Sequence, residues 1–239
     1  MLVFDDDRPS GSPCVERIWR CHSEGSGSFL SVAESRSEVV VTRHGGRITI
    51  TVRGPETRAT RMSYPPDAEW LGIRFKPGAY LAPRPARDLV NGGVNLPQAM
   101  RSSFWLNGST WEVPNYDNAD TFVEWLVRDD LLVIDRAVLA ALQGERADST
   151  LRTLQRRFLQ ATGVTQGTIR QIERARYAAL LLKQGVSIVD AVYEAGYFDQ
   201  PHLTRSMKYF IGRTPADLLH DDGSEQLSFL YKTRLFVRP

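Results

Sequence analysis

Two stretches of the chain repeat at a fixed offset of 49 residues, and this duplication limits what the second half can fold into. Leu154-Gln155-Arg156-Arg157-Phe158 is echoed by Leu203-Thr204-Arg205-Ser206-Met207, and Gly163-Val164-Thr165 by Gly212-Arg213-Thr214. Thr150 and Asp199 stand at equal distances before the shared Leu, where a side-chain oxygen can cap a helix, and a Gly closes each copy. Each copy therefore reads as one short helix with a start and a stop. The polar residues around the shared Leu are Arg, Gln, Thr, His and Lys with hardly a carboxylate among them, the donors and acceptors that read nucleic acid.

Around the second copy the pattern is helix, tight turn, helix: residues 188–195, a turn at Gly196, and residues 199–210. Ile188, Val192, Ala195, Leu203 and Met207 can form a small shared core, leaving Gln200, His202, Thr204, Arg205 and Lys208 outward. In a helix-turn-helix the second helix enters the major groove and the first braces it. Arg205 suits guanine, Gln200 adenine and Lys208 a phosphate. A solvated polar face in an ordinary bundle is the blander reading of one such segment, and the duplication argues against it. Residues 168–184 read as a long amphipathic helix with Ile169, Ile172, Ala175, Ala179 and Leu182 on one side and Gly185 as its stop. On that facing Ala179→Asp is expected to be damaging and Arg176→Ala much milder.

At this point the residues resemble a family. Arg174-Ala175, the run Gly196-Tyr197-Phe198-Asp199-Gln200-Pro201-His202, and Phe210-Ile211-Gly212-Arg213-Thr214-Pro215 are similar to the carboxy-terminal signature of AraC/XylS-type transcription regulators. Leu154-Gln155-Arg156-Arg157-Phe158 with Thr162-Gly163 resembles the upstream recognition helix of that family, so the likeness covers roughly residues 135–219. It implies a bilobal seven-helix DNA-binding domain, with base-facing candidates Arg152, Gln155 and Arg156 in the first lobe and Gln200, His202, Thr204 and Arg205 in the second. One departure stands out. At the repeat offset Val192, Ala195 and Gly196 correspond to Gln143, Arg146 and Ala147, so the first lobe lacks the apolar bracing helix and Gly turn.

Upstream of about residue 115 the patterning is that of strands. Residues 38–42 and 47–53 are rich in Val, Ile and Thr around Gly45-Gly46, residues 105–113 carry Asn107-Gly108, and Leu71, Ile73 and Phe75 alternate with Gly72, Arg74 and Lys76 before Pro77-Gly78. The alternation predicts a strand with one buried face. These segments predict an antiparallel β barrel or sandwich, and with the helices an α+β chain. Asp120 is a candidate cap for a helix with Phe122, Trp125 and Leu126 as its apolar stripe, and a second short helix is expected over 135–143. The expected organisation is a β-rich regulatory, effector or dimerisation domain at 1–118, a connecting helix at 119–134, the DNA-binding domain at 135–220 and a tail at 221–239, whose residues 228–237 suit either a docked strand or a loose end. Trp70-Leu71-Gly72-Ile73-Arg74-Phe75-Lys76-Pro77-Gly78 also looks like the regulatory domain that precedes such DNA-binding domains. Trp70, Arg74, Phe75, Tyr80, Trp105 and Trp111 are candidates to line an effector pocket, and Trp19 adds another aromatic, although aromatics in a β domain more often form plain core.

Charge supports a polyanion partner only locally. The chain as a whole carries +2, yet from Thr150 to Leu219 ten Lys and Arg face five Asp and Glu. Cys14 and Cys21 are too few for a disulfide scaffold and fit a reducing compartment. With His22 they invite zinc, but no second pair of ligands follows, so neither metal nor cofactor is expected. His44 beside Gly45-Gly46 reads as an exposed turn residue. No nucleophile elbow, phosphate-binding loop or His-Glu-Xaa-Xaa-His is present, and catalysis is not expected. Asp5-Asp6-Asp7 occupies the place where a signal peptide needs positive charge, and no stretch reaches transmembrane length, so a cytoplasmic location without membrane association is expected. The expected partner is double-stranded DNA in a bacterial setting, with RNA polymerase, a small-molecule effector and a second copy of the chain as further candidates. Two readings compete: a DNA-targeted transferase or repair protein using Cys14 or Cys21, and a ligand-binding protein whose DNA-binding domain has degenerated.

Overall fold

The computed structural model describes residues 1–145, 150–220 and Leu227. Along the chain the strands are β1 (Leu2–Pro9), β2 (Val15–Ser23), β3 (Gly27–Ser31), β4 (Glu38–His44), β5 (Arg47–Arg53), β6 (Thr60–Tyr64) and β7 (Glu69–Phe75). There follow β8 (Ala79–Leu81), β9 (Gly93–Asn95), β10 (Gln98–Met100), β11 (Ser103–Leu106), β12 (Ser109–Glu112) and, after helix α1 (Ala119–Arg128), β13 (Leu132–Ile134). The remaining helices are α2 (Arg136–Leu142), α3 (Leu151–Thr162), α4 (Gln166–Lys183), α5 (Ile188–Glu194), α6 (Gln200–Phe210) and α7 (Pro215–Leu219).

The residues group into two compact units that interleave in sequence. One comprises Met1–Gly27, Arg36–Pro55 and Tyr64–Val164; the other comprises Ser28–Ser35, Glu56–Ser63 and the chain from Thr165 onward. The first is built on a six-stranded antiparallel sheet in the order β1-β2-β7-β4-β5-β9, accompanied by a β10-β11-β12 sheet and a β8-β13 pair. The expected hairpins form at Gly45-Gly46 and Asn107-Gly108. The described strands do not close into a barrel; the large sheet ends at β1 and β9. Its core gathers Ile18, Val41, Ile50, Ile73, Phe75, Phe104 and Leu126.

Two patterns differ from expectation. The β7 strand buries both faces from Leu71 to Phe75: Leu71, Ile73 and Phe75 point into the core, and the opposite face is covered at Gly72 and Arg74 by side chains from β2 and β4. Trp19 packs so closely over Gly72 that a Cβ there would lie 1.9 Å from its indole, and Arg74 is buried against Glu38 at 3.4 Å. In α1 the apolar stripe is Ala119, Phe122, Val123 and Leu126, at the spacing of one helix face. Trp125 falls beside that stripe and stays 43% exposed. The N-cap position of α1 is Asn118, while Asp120, inside the first turn, accepts hydrogen bonds from Ser10 Oγ at 2.6 Å and from Arg8. Those two bonds hold its carboxyl below the usual range against the opposing effect of burial.

The second unit is helical apart from the two segments contributed by β3 and β6. Its core joins Leu30, Val32 and Ala33 to Ile172, Ala175, Ala179, Leu182, Leu203, Met207 and Phe210. All five residues expected on the apolar side of the long helix, now α4, are buried. Arg176 and Glu173 are buried with them, which the helix period does not anticipate. The segment 228–237 and the positions Arg146 and Ala147 lie outside the described residues.

Candidate nucleic-acid interface

The offset repeat has a structural counterpart at every cap. Thr150 accepts from the Thr153 N–H at 3.3 Å and Asp199 from the His202 N–H at 2.7 Å, starting α3 and α6. Gly163 and Gly212 follow the two helices with φ of 71° and 80°. Thr165 and Thr214 then cap α4 and α7 through the N–H groups of Thr168 and Asp217. The repeated unit is thus helix, left-handed Gly, capping Thr and next helix. At Gly163 a Cβ would also lie 2.7 Å from the Ala86 carbonyl oxygen, so crowding and backbone conformation both demand glycine there.

The second helix pair forms as anticipated. Val192, Ala195, Leu203 and Met207 are buried and Ile188 is half-buried, so α5 braces α6. Gln200, Arg205 and Lys208 are exposed, with His202 and Thr204 partly so, and all five lie along one helix. Between the two helices stands Tyr197, whose hydroxyl shares a hydrogen bond with Ser206 at 2.8 Å while Arg174 lies 4.4 Å over its ring. Arg174 also donates to the Gly196 carbonyl at 3.4 Å, and the His202 ring meets Tyr197 edge-on at 5.1 Å. Burial pushes the Tyr197 hydroxyl above its ordinary pKa, although Ser206 and Arg174 pull the other way. Tyr197 therefore fixes the turn and orients one base-facing candidate. In the sequence Tyr197 stands inside the Gly196–His202 run, but nothing in its spacing marks it as the residue that ties the two helices together.

The first helix is held differently. Arg152, Gln155 and Arg156 are exposed on α3, but Leu154 is only half-buried and Leu151 is 80% exposed, whereas Leu203, the counterpart of Leu154, is fully buried. Among the described residues between α2 and α3, Gln143 and Gly144 form a turn and no bracing helix intervenes. In its place α2 packs on α3, and Arg157 Nε donates to Asp135 Oδ2 at 2.7 Å. The helix α3 belongs to the first compact unit and α6 to the second.

The structure does not bring the six effector-pocket candidates together. Phe75 and Trp111 are core, Arg74 is paired with Glu38, Trp105 is 46% exposed, and Tyr80 accepts a hydrogen bond from Gln160 at 3.3 Å. Only Trp70 among them lines a cleft of about 660 Å³ in the first unit, together with Arg20, Arg43, Glu69, Tyr116 and Asp117. Arg20 stacks 4.6 Å over Tyr116, and Arg43 donates to the Pro114 carbonyl.

Cys14 and Cys21 are buried free thiols. Burial raises both, and with Asp5 and Glu38 nearby pushes Cys21 up to about 12. Cys21 and His22 are neighbours on β2 and point to opposite faces, and no group of three or more metal-ligating side chains occurs among the described residues. No helix among them is long and apolar enough to cross a membrane.

Residues 144–221 match a family model described as a helix-turn-helix domain. The matched residues include α3 to α7, and the match supports DNA binding by this part of the chain. No curated protein and no solved structure matches the chain.

Proposed function

We propose that this chain is a sequence-specific regulator of the AraC/XylS type in which α6 reads bases from the major groove and α3 adds a second, weaker contact. The observation that carries this reading is the α5–α6 pair, with its packed apolar interior and an outward row of Gln200, His202, Thr204, Arg205 and Lys208. Arg205 takes guanine, Gln200 adenine, and Lys208 a phosphate. The raised pKa values of the buried thiols disfavour thiolate chemistry at Cys14 or Cys21. Selection of duplexes from a random pool by the purified full chain tests the function: enrichment of one motif supports it, and retention of DNA without any enriched motif refutes base reading.

The β-rich unit supplies control by a small molecule. The cleft beside Trp70 and Tyr116 mixes the cations Arg20 and Arg43 with the carboxylates Glu69 and Asp117, a lining suited to a small zwitterion with a flat group. Thermal-shift screening of amino-acid-like compounds tests it, with Trp70→Ala expected to abolish any stabilisation.

A further inference from the structure

The recognition helix α6 ends on residues from far upstream. The last carbonyls of a helix have no partner within it. In α6 the Phe210 carbonyl accepts from the Ala33 N–H at 2.8 Å and the Tyr209 carbonyl from the Ala59 N–H at 3.0 Å. Just beyond the helix, Gly212 lies so close to the same two segments that a Cβ would sit 2.6 Å from Leu30 Cδ2 and 3.0 Å from Ala59 Cβ. The segments are fastened to each other, since Glu34 and Glu56 exchange both backbone hydrogen bonds at 2.8 Å and Ser31 Oγ donates to Glu56 at 2.5 Å. They are fastened to α4 as well. Arg176 Nη1 donates to the Ala33 carbonyl at 2.9 Å and pairs with Glu34 at 3.4 Å, while Ser35 Oγ donates to Glu173 at 2.9 Å. Arg176 and Glu173 are each only 3% exposed.

We propose that Ser28–Ser35 and Glu56–Ser63 are positioning elements of the DNA-reading unit, with Arg176 and Glu34 as the latch that holds them to α4 and so sets the aim of α6. This rests on α6 being the reading helix. Its N-terminal half carries the base-facing side chains and is held by α5 and Tyr197; its C-terminal end is held by the N–H groups of Ala33 and Ala59. A rod fixed at both ends points in one direction, and freeing one end broadens that direction. Base readout needs a fixed direction, whereas attraction to phosphates survives a range of them. Loss of the latch therefore lowers discrimination more than it lowers general affinity for DNA.

The test uses the full chain, the motif duplex recovered by selection, and a scrambled duplex of equal length. Arg176→Met combined with Glu34→Gln removes both charges of the latch at once. The ratio of motif to scrambled affinity is expected to fall about tenfold, with the salt dependence on scrambled DNA unchanged. In parallel, amide exchange of the unaltered protein is expected to slow at Ala33 and Ala59 with the motif duplex and not with the scrambled one, a readout that does not depend on the variant folding. If Arg205→Ala lowers the ratio while the latch variant leaves it intact, or if exchange at both alanines ignores the motif duplex, the positioning role is overturned and α6 remains the reader. If Arg205→Ala also leaves the ratio intact, α6 reading and the positioning role fall together.

Discussion

Asp135 and Arg157 join two helices through one carboxylate: Oδ1 accepts from the N–H groups of Ala137 and Val138 at the start of α2, and Oδ2 accepts from Arg157 Nε on α3 at 2.7 Å. The bond to Asp135 raises the Arg157 pKa. Asp135→Ala loses cap and ion pair together and is expected to cost about 1 to 2 kcal/mol. Asp135→Asn keeps an oxygen for the cap and is expected to cost less than about 1 kcal/mol, because the Arg157 side of the pair is open to water. Denaturant unfolding of the two variants checks the order.

Arg205 and Lys208 are both exposed on α6, yet they are expected to fail differently. Arg205→Ala should relax base preference at one position of the preferred site at a cost of about 1 to 3 kcal/mol. Lys208→Ala should weaken all sequences alike and reduce the salt slope by about one. Competition binding over a salt series separates them; equal losses on motif and random DNA for Arg205→Ala would refute base contact there.

The burial of Arg176 reverses one expectation drawn from helix period. Ala179 is fully buried, so Ala179→Asp places an unpaired charge in the core at a cost of several kcal/mol, about 3 or more. Arg176→Ala is not mild: it removes a buried guanidinium that bonds the Ala33 carbonyl and pairs with Glu34, and is expected to cost about 3 to 5 kcal/mol. Comparable losses in thermal stability for the two variants are the expected result, and a near-normal midpoint for Arg176→Ala would contradict the latch geometry.

The features that could be read in advance are those whose physics is local. Thr150, Asp199 and Thr165 cap helices through N–H groups three residues on, and Asn107-Gly108 closes a hairpin with its immediate neighbours, so each leaves a short-range pattern in the chain. Arg176 leaves none, since its partner Ala33 is 143 residues away and a helix period places a charge on either face without regard to a distant acceptor. The same limit explains β7 and α1. Arg74 is buried only because β4 supplies Glu38, and Trp125 is exposed because Ala119 and Val123, not Trp125, continue the stripe. The effector candidates scattered for a related reason: aromatic composition marks apolar surface but does not say whether that surface faces a cleft, as at Trp70, or the core, as at Phe75.

The two thiols give a chemical test of the transferase alternative. A nucleophilic cysteine needs a lowered pKa, and Cys21 is pushed up to about 12 by burial and by Asp5 and Glu38. With the folded pKa raised, the thiolate fraction at pH 8 is smaller in the native protein than in the unfolded chain. Alkylation by iodoacetamide at pH 8 is expected to be at least about tenfold slower for the folded protein than in denaturant. Rapid stoichiometric labelling of the folded chain would instead favour a reactive cysteine.

The unequal packing of Leu154 and Leu203 predicts unequal readout by the two recognition helices. Leu203 is fully buried beneath α6, whereas Leu154 is half-buried and Leu151 exposed on α3, so α3 rests through Phe158 and Ala161 on α2, β8 and the turn at Ala86–Asp88 and has no preceding bracing helix among the described residues. A helix whose first turns lack a brace still presents the charges of Arg152 and Arg156 to phosphates, but it holds Gln155 less exactingly against base edges. The triple change of Arg152, Gln155 and Arg156 to Ala is therefore expected to lower affinity mainly through lost charge, with a strong salt signature. The triple change of Gln200, His202 and Arg205 to Ala is expected to remove discrimination between motif and random DNA. Footprinting should show firm protection over one major groove and weaker protection about one helical turn, roughly 34 Å, away. Equal protection of both grooves, with equal loss of discrimination from the two triples, would mean that α3 reads bases as fully as α6 without a bracing helix.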